Sequence, residues 1–289
     1  MLPNATIEAW LREDIGHHDV TNDVPGETTG RLVATEPGVA AGLDAAKAVF
    51  EYLGASVTER SAAGDELDAG EAVLEVEGPA EDILRGERVA VNVAGHASGV
   101  ATKTREAVEA AREAVGEAPD GDSRAGAGDS GVRIAGTRKT TPGLRGVEKR
   151  AIVAGGGDTH RLDLSHMVMV KDNHIAEQGL ESAVERFRER ASFATKIEVE
   201  VEDPADAPRA ARVGADIVLL DNMTPEETAR AVQLVNDAAA ELGREVHTEA
   251  SGGITVETVP DYAATGVDVV SMGSLTHSAP ALDYSFRTG

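Results

Sequence analysis

The chain has 289 residues, enough to bury a full core as one large α/β domain or two unequal ones. It carries 51 Asp and Glu against 27 Lys and Arg, a formal net charge of −24, which argues against nucleic acid as a partner because phosphates reward a basic surface. The absence of cysteine excludes disulfides, zinc–thiolate sites and a thiol nucleophile, and no apolar run approaches the roughly 20 residues that cross a bilayer. No charged-then-apolar leader opens the sequence, so a cytoplasmic protein without membrane contact is expected. Aromatic residues make up only 3%, so the core must be built from Ala, Val, Leu and Ile. Lysine is scarce beside abundant Asp, Glu and Ala, a composition resembling the acidic, hydrated proteins of salt-loving organisms.

Residues 4–15, NATIEAWLREDI, open on an Asn cap and repeat apolar residues at helical spacing, which predicts a first helix. From 31 to 78 the runs RLVATE, VAAG, SVTER and AVLEVEG read as short strands around one helix at 43–53, with Gly54, Gly64, Gly70 and Gly78 marking the turns. Pro79 then starts a long helical stretch in which Gly95 and Gly99 are candidate breaks or kinks. Residues 116–131 hold five glycines and four acids with almost nothing apolar, so a solvated, poorly ordered loop is expected there. Its GAGDSG string matches the dinucleotide fingerprint only as letters, because no strand precedes it and no helix follows.

From 132 onward strands and helices alternate. The predicted strands are VRIAG at 132, MVMVK at 167, KIEVEV at 196, DIVLLD at 216, VHTEAS at 246 and VDVVSMG at 267, with helices near 144, 179, 204, 225 and 255. Apolar strands alternating with amphipathic helices imply a parallel sheet covered by helices. In an α/β barrel the C-terminal strand ends share one face, and that face carries the chemistry. Lys171, Glu200, Asp221, Ser251 and Gly273 would converge there.

Charge is distributed unevenly along this half. Residues 132–175 contain eight basic side chains and four acidic ones, a local excess of cations inside a strongly acidic chain. A paired surface face would explain any one of them. Arg138, Lys139, His160, Arg161 and Lys171, however, all fall at predicted strand ends or the loops after them. Arginine reads a carboxylate through two parallel hydrogen bonds and lysine serves as a point charge for phosphate, so the mixture suits a substrate carrying both. Glu200 and Asp221 supply hard oxygens for Mg²⁺ or ribose hydroxyls. Ser251, Gly252 and Gly253, followed by Gly273 and Ser274, sit after the last two strands, where exposed backbone N–H groups hold phosphate or where glycine serves a tight turn. Glu198 and Glu200 alternate onto one side of their strand, and Glu200 is the choice for the site. His17, His18 and Asp19 lack partners at metal-ligand spacing and read as a polar loop, and His166 and His174 carry no signal of their own.

The stretches EDIGHHDVTND, GVAAGLDAA, GERVAVNVAGHASGVAT, TRKTTPGLRGVEKRAIVAGGGDTHR, VMVKDNH, EVEVED, VLLDN, ASGGI and TGVDVVSMGSLTHSAPALDYS together resemble the quinolinate phosphoribosyltransferases, across nearly the whole chain. That resemblance implies an N-terminal α/β sandwich, residues 1–105 with the tail 277–289 packing back on it, joined to an incomplete α/β barrel, residues 106–276, of the type II phosphoribosyltransferase kind. It implies a pentosyltransferase that condenses quinolinate with phosphoribosyl pyrophosphate, using Mg²⁺, to give nicotinate mononucleotide, pyrophosphate and CO₂ in de novo NAD synthesis. It also implies a homodimer with shared active sites, and a hexamer as a further possibility. Carried over by motif, Arg138, His160 and Arg161 would hold the two quinolinate carboxylates with Arg88 of the partner subunit. Lys139 and Lys171 would lie between carboxylates and pyrophosphate, as catalytic and substrate-binding residues both. Glu200 and Asp221 would take Mg²⁺ and the ribose, and Ser251, Gly252, Gly253, Gly273 and Ser274 the 5′-phosphate. The alternative within the same chemistry is a relative acting on nicotinate or another base, which would need one carboxylate clamp fewer. Arg145 and Lys149 are expected to be helix residues behind the site.

Overall fold

A computed structural model describes residues 2–116 and 131–289. In chain order the elements are α1 (Asn4–Ile15), β1 (Glu27–Ala34), β2 (Gly38–Val39), α2 (Leu43–Tyr52), β3 (Ser56–Glu59), β4 (Glu66–Leu67), β5 (Ala72–Pro79) and α3 (Ala80–Val115). Next come β6 (Arg133–Ala135), α4 (Arg145–Ala154), β7 (Val168–Val170), α5 (Asp172–Gln178), α6 (Leu180–Arg190), β8 (Ile197–Val201) and α7 (Ala207–Arg212). The remainder is β9 (Ile217–Asp221), α8 (Pro225–Leu242), β10 (His247–Ser251), α9 (Val259–Ala263), β11 (Val269–Ser271), α10 (Ser274–His277) and β12 (Tyr284–Thr288). The loop expected at 116–131, with its GAGDSG string, falls almost wholly outside the described residues. Among those residues, no helix is long and apolar enough to cross a membrane.

The chain divides into two units. The first comprises residues 1–105, 141–156 and 278–289. Its main sheet is antiparallel in the order β12-β1-β5-β3, beside a two-stranded ladder of β2 and β4. Leu32, Leu74, Phe50 and Ile83 are fully buried in its core, where α2 and the first half of α3 supply the helical layer. Two expectations are corrected here. The helix at 145–154 does not cover the parallel sheet: Val147, Ala151 and Ile152 bury into the core of this first unit, so the expected barrel segment 106–276 is interrupted. Arg145 and Lys149 are residues of this helix, as expected, and Lys149 is buried. Asn4 is the first helical residue of α1 and not its cap, a position taken by the extended Pro3.

Helix α3 runs unbroken through Gly95 and Gly99. The two glycines answer a spatial demand instead. A Cβ on Gly95 would lie 2.8 Å from the Leu282 carbonyl oxygen, and one on Gly99 would drive into the Pro280 carbonyl, with Pro280 C at 2.9 Å and Ala281 Cα at 3.0 Å. Leu282 N–H donates to the Gly95 carbonyl at 2.9 Å, and Tyr284 Oη lies 2.9 Å from Ser98 Oγ. The glycines therefore form a groove in which segment 280–284 lies backbone to backbone, and β12 continues from it to pair with β1.

The second unit comprises residues 106–140 and 157–277. Its sheet is wholly parallel, in the order β6-β11-β10-β9-β8-β7, and it stays open because β6 and β7 are edges that do not pair with each other. The expected incomplete barrel is thus what the chain forms. Alternation decides which residues meet which side. In IEVEV of β8, Ile197, Val199 and Val201 join the apolar core while Glu198 and Glu200 point to the opposite face. In HTEAS of β10, Ala250 joins that core and Glu249 and Ser251 take the opposite face. The helices are placed by ordinary local chemistry: α8 has Thr224 and Glu227 in a reciprocal capping box, Pro225 in its first turn and Gly243 left-handed at its end.

Candidate active site

A cavity of about 670 Å³ opens at the C-terminal ends of the parallel strands. Its walls include Arg138 and Lys139 after β6, His160 and Arg161 before β7, Lys171 after β7, Glu200 on β8 and Asp221 ending β9. The floor adds Ser251, Gly252 and Gly253 after β10, and Gly273 and Ser274 after β11. Every predicted site residue of the barrel therefore lines one cavity. Arg88 belongs to the first unit, where its side chain is 59% exposed and meets Glu87 at 3.3 Å.

Sheet register explains this convergence. Ser251 aligns with Asp221 at the strand ends, while Glu200 aligns with Leu219 and through it with Glu249, two residues deeper, so neighbouring strands deliver polar side chains to two successive levels. Lys171 pairs with Glu200, which joins a cation and a carboxylate at the centre of the wall. His174 fixes this lysine from behind, since its Nδ1 accepts the Lys171 backbone N–H at 3.0 Å and its ring packs edge-on against Phe187. Asn222 holds a left-handed φ of 57°, its N–H donates to the Ser251 carbonyl at 2.9 Å, and its side chain donates to Asp221 Oδ2 at 2.8 Å.

Two glycines allow backbone to approach closely. Gly252 has φ of 101°, and a Cβ there would lie 2.6 Å from Asn222 N, so only glycine fits both the turn and the neighbouring strand end. A Cβ on Gly273 would lie 2.8 Å from Lys139 Cδ. Thr276 ties the same lysine down by donating to its carbonyl at 2.6 Å. The turn reading and the anion reading of these glycines are thus compatible: Gly252 and Gly253 turn with positive φ, and they and Gly273 line the cavity.

Beneath the cations lies a buried acidic layer. Glu249 is 2% exposed and its Oε2 is 2.9 Å from His160 Nε2. Glu198 is fully buried, 3.8 Å from the same nitrogen, which is an electrostatic contact too long for a hydrogen bond. Both Glu198 oxygens lack a hydrogen-bond partner among the described residues, as do the buried Nε atoms of Arg138 and Arg161. Burial disfavours a charged imidazole, but Glu198 and Glu249 outweigh it and push His160 up to about 10. Burial first, and then the charge of Glu249, push Glu198 up to about 7 against the pull of His160 and Arg161. Arg161 is lowered by burial and by neighbouring Arg138.

Sequence reasoning missed Glu249, Asn222 and His277, which also line the cavity, and missed that Glu198 underlies it. The signal for Glu249 was present in the alternation of HTEAS, where it shares a face with Ser251. The choice of Glu200 over Glu198 agrees with the geometry, since only Glu200 is on the cavity wall. His17, His18 and Asp19 form a polar loop in which Asp19 accepts from the backbone N–H groups of Thr21 and Asn22 and from Arg85. Among the described residues, the one cluster of three side chains spaced to ligate a metal is His160, Glu198 and Glu249.

Comparisons with known proteins agree along the whole chain. Residues 18–98 match the family model for the quinolinate phosphoribosyl transferase N-terminal domain, and residues 100–287 match that for the C-terminal domain. A probable carboxylating nicotinate-nucleotide pyrophosphorylase of Methanothermobacter thermautotrophicus is 45% identical over 97% of this chain and 97% of its own length. The carboxylating nicotinate-nucleotide pyrophosphorylase of Homo sapiens is 42% identical over 98% of this chain and 90% of its own. The crystal structure of NadC from Streptococcus pyogenes superimposes with a TM-score of 0.85 at 37% identity, covering 99% of this chain and 96% of that one. With both domain models matched in order and a cavity assembled from the residues that the sequence singled out, the chain belongs to the quinolinate phosphoribosyl transferase family.

Proposed function

We propose that this chain converts quinolinate and phosphoribosyl pyrophosphate into nicotinate mononucleotide, pyrophosphate and CO₂, as a carboxylating nicotinate-nucleotide pyrophosphorylase in NAD biosynthesis. The observation that carries the reading is one cavity lined by five cationic side chains, Arg138, Lys139, His160, Arg161 and Lys171, together with the carboxylates Glu200 and Asp221. Both substrates are anions, and a chain of net charge −24 must concentrate cations locally to hold them. Arg138, His160 and Arg161 hold the two carboxylates of quinolinate. Lys139 and Lys171 bridge towards the pyrophosphate, and the turns at Gly252 and Gly273 present backbone N–H groups to the 5′-phosphate.

Departure of pyrophosphate leaves positive charge on the ribose anomeric carbon, which Glu200 and Asp221 are placed to stabilise while the lysines neutralise the departing anion. The pyridine nitrogen attacks that carbon, so no enzyme nucleophile is required. The new C–N bond makes the ring cationic. Loss of CO₂ then leaves an electron pair on the adjacent ring carbon, which takes a proton from solvent. Glu200 and Asp221 fit Mg²⁺ as hard oxygen donors, and because the one three-ligand cluster among the described residues does not include them, substrate oxygens and water would complete the shell. When bound, Mg²⁺ supplies further neutralisation of the pyrophosphate.

The reading includes a cytoplasmic homodimer in which Arg88 of one subunit completes the cavity of the other, and a surface adapted to high salt. Purified protein incubated with Mg²⁺ and phosphoribosyl pyrophosphate should release CO₂ and pyrophosphate in equal amounts from quinolinate. Turnover of nicotinate without turnover of quinolinate would refute it and favour the monocarboxylate alternative.

A further inference from the structure

The buried acidic layer is the feature that the reaction as written leaves unused. We infer that Glu249, seconded by Glu198, is a positioning residue that holds the His160 imidazole as a fixed, doubly protonated donor at the cavity wall. The inference rests on the reading of the cavity as a dicarboxylate site.

Geometry supplies the argument. Glu249 and Glu198 rise from β10 and β8, on either side of β9, and both approach one nitrogen of one ring, at 2.9 and 3.8 Å. The backbone of His160 is held, with a left-handed φ of 52° and its N–H donating to Asp158 Oδ1 at 2.6 Å, and its side chain is only 12% exposed, which leaves the ring little room to turn. A neutral imidazole has a single N–H. If Glu249 accepted that proton from Nε2, Nδ1 would be left as an acceptor, and a lone pair beside a substrate carboxylate repels it. A doubly protonated ring donates to Glu249 through Nε2 and keeps a second donor at Nδ1. The carboxylates thus convert a side chain that would titrate near neutrality into one that stays cationic across the neutral range.

The surrounding charges agree. The charged groups at the His160 ring are Glu198 on β8 and Glu249 on β10; Asp158 meets only its backbone N–H, and Arg161, next in sequence with Arg138 beside it, faces the same two glutamates. Glu198 meets its burial in part by holding a proton near neutrality, whereas a carboxylate buried as deeply as Glu249 requires compensating positive charge. Arg161 provides part of it, and the Nε2–Glu249 contact identifies His160 as the rest.

Glu249→Gln preserves shape and removes the charge. At pH 8 the KM for quinolinate should rise about tenfold or more, the scale of one lost charge-assisted hydrogen bond, with kcat changed much less. At pH 6 the difference should narrow, because an ordinary imidazole is then protonated without help. Nitrogen NMR of histidine-labelled protein gives a second readout without turnover: His160 should be an imidazolium at pH 8 in the wild type and neutral in Glu249→Gln. A neutral His160 in the wild type at pH 8 would overturn the inference, and it needs no variant to fold. So would an equal rise in KM at both pH values, which marks a merely structural role. Stoichiometric retention of Zn²⁺ or Mn²⁺ that Glu249→Gln abolishes would also overturn it, since the ion would then hold the place of the proton. Failure of the wild type to use quinolinate would refute the function reading alone, while the NMR signals would still decide the state of His160.

Discussion

Replacing Gly99 with Ala separates two explanations of a helical glycine by the sign of the effect. Alanine is the better helix former by about 1 kcal/mol, so a Gly99 that merely weakened α3 would give a stabilised variant. The structure predicts the opposite. The new Cβ would meet backbone atoms of Pro280 and Ala281, and backbone, unlike a side chain, has no alternative rotamer. Overpacking of this kind costs about 1–3 kcal/mol. The tail could instead leave its groove, but that exposes Leu282 and Tyr284, which are 6% and 5% exposed. Each contributes roughly 2 kcal/mol by burial, so departure is the costlier route. The cheaper route sets the measured cost; backbone meeting backbone falls in the upper part of that range, about 2–3 kcal/mol, so after subtracting the helix gain the variant should lose about 1–2 kcal/mol, a fall in Tm of about 2–8 °C. Scanning calorimetry measures the shift. The fluorescence of Trp10, the single tryptophan, reports on the unit in which the change is made. Gly146→Ala is the control, because its Cβ would meet nothing nearer than Arg150 at 3.7 Å, and it should be neutral or slightly stabilising. A rise in Tm for Gly99→Ala would refute the packing argument.

Stability should also fall as pH is raised from about 6.5 towards 10. His160 binds its proton more tightly folded than unfolded, so its contribution is complete below the ordinary imidazole value and is lost as pH rises through about 10. Glu198, also raised, adds a loss of the same sign as pH rises towards 7, and His160→Gln should flatten the alkaline part of the slope when melting is followed against pH. Salt should raise Tm, because screening relieves the self-repulsion of a chain with net charge −24, and a Tm unchanged between dilute and molar KCl would count against a salt-adapted surface. Arg88→Ala and Lys171→Ala, each inactive alone, should recover part of the activity when mixed as exchanging subunits. No recovery despite verified exchange would exclude a shared site.

The sequence was most legible where local chemistry and tertiary demand agree. The runs IEVEV, DIVLLD and HTEAS were readable as parallel strands because short, strand-like runs alternate with amphipathic helices and end in polar residues, and the same ends marked the cavity. Periodicity could not say which core a helix joins, so 145–154 was assigned to the parallel sheet although Val147 and Ile152 pack in the first unit. It could not register α5 and α10 either, since helices of seven and four residues complete too few turns. Gly95 and Gly99 looked like helix defects because the segment they admit lies nearly 200 residues away. Glu249 stayed hidden for a similar reason: its partners, His160 and Glu198, meet it only once three separate parts of the chain are assembled.

The pairing of β12 with β1 imposes an order on the birth of the molecule. Leu282 and Tyr284 belong to the core that also contains Leu32 and Phe50, and β12 is hydrogen-bonded along Gly30–Ala34. Synthesis proceeds from the N-terminus, so the unit whose first residues emerge earliest waits until residue 288 has left the ribosome before its sheet can close. The second unit, complete at residue 277, has all its strands earlier. During that interval β1 presents an unpaired edge, the kind of surface that invites pairing with a neighbouring nascent chain. The unit begun first is therefore the one finished last.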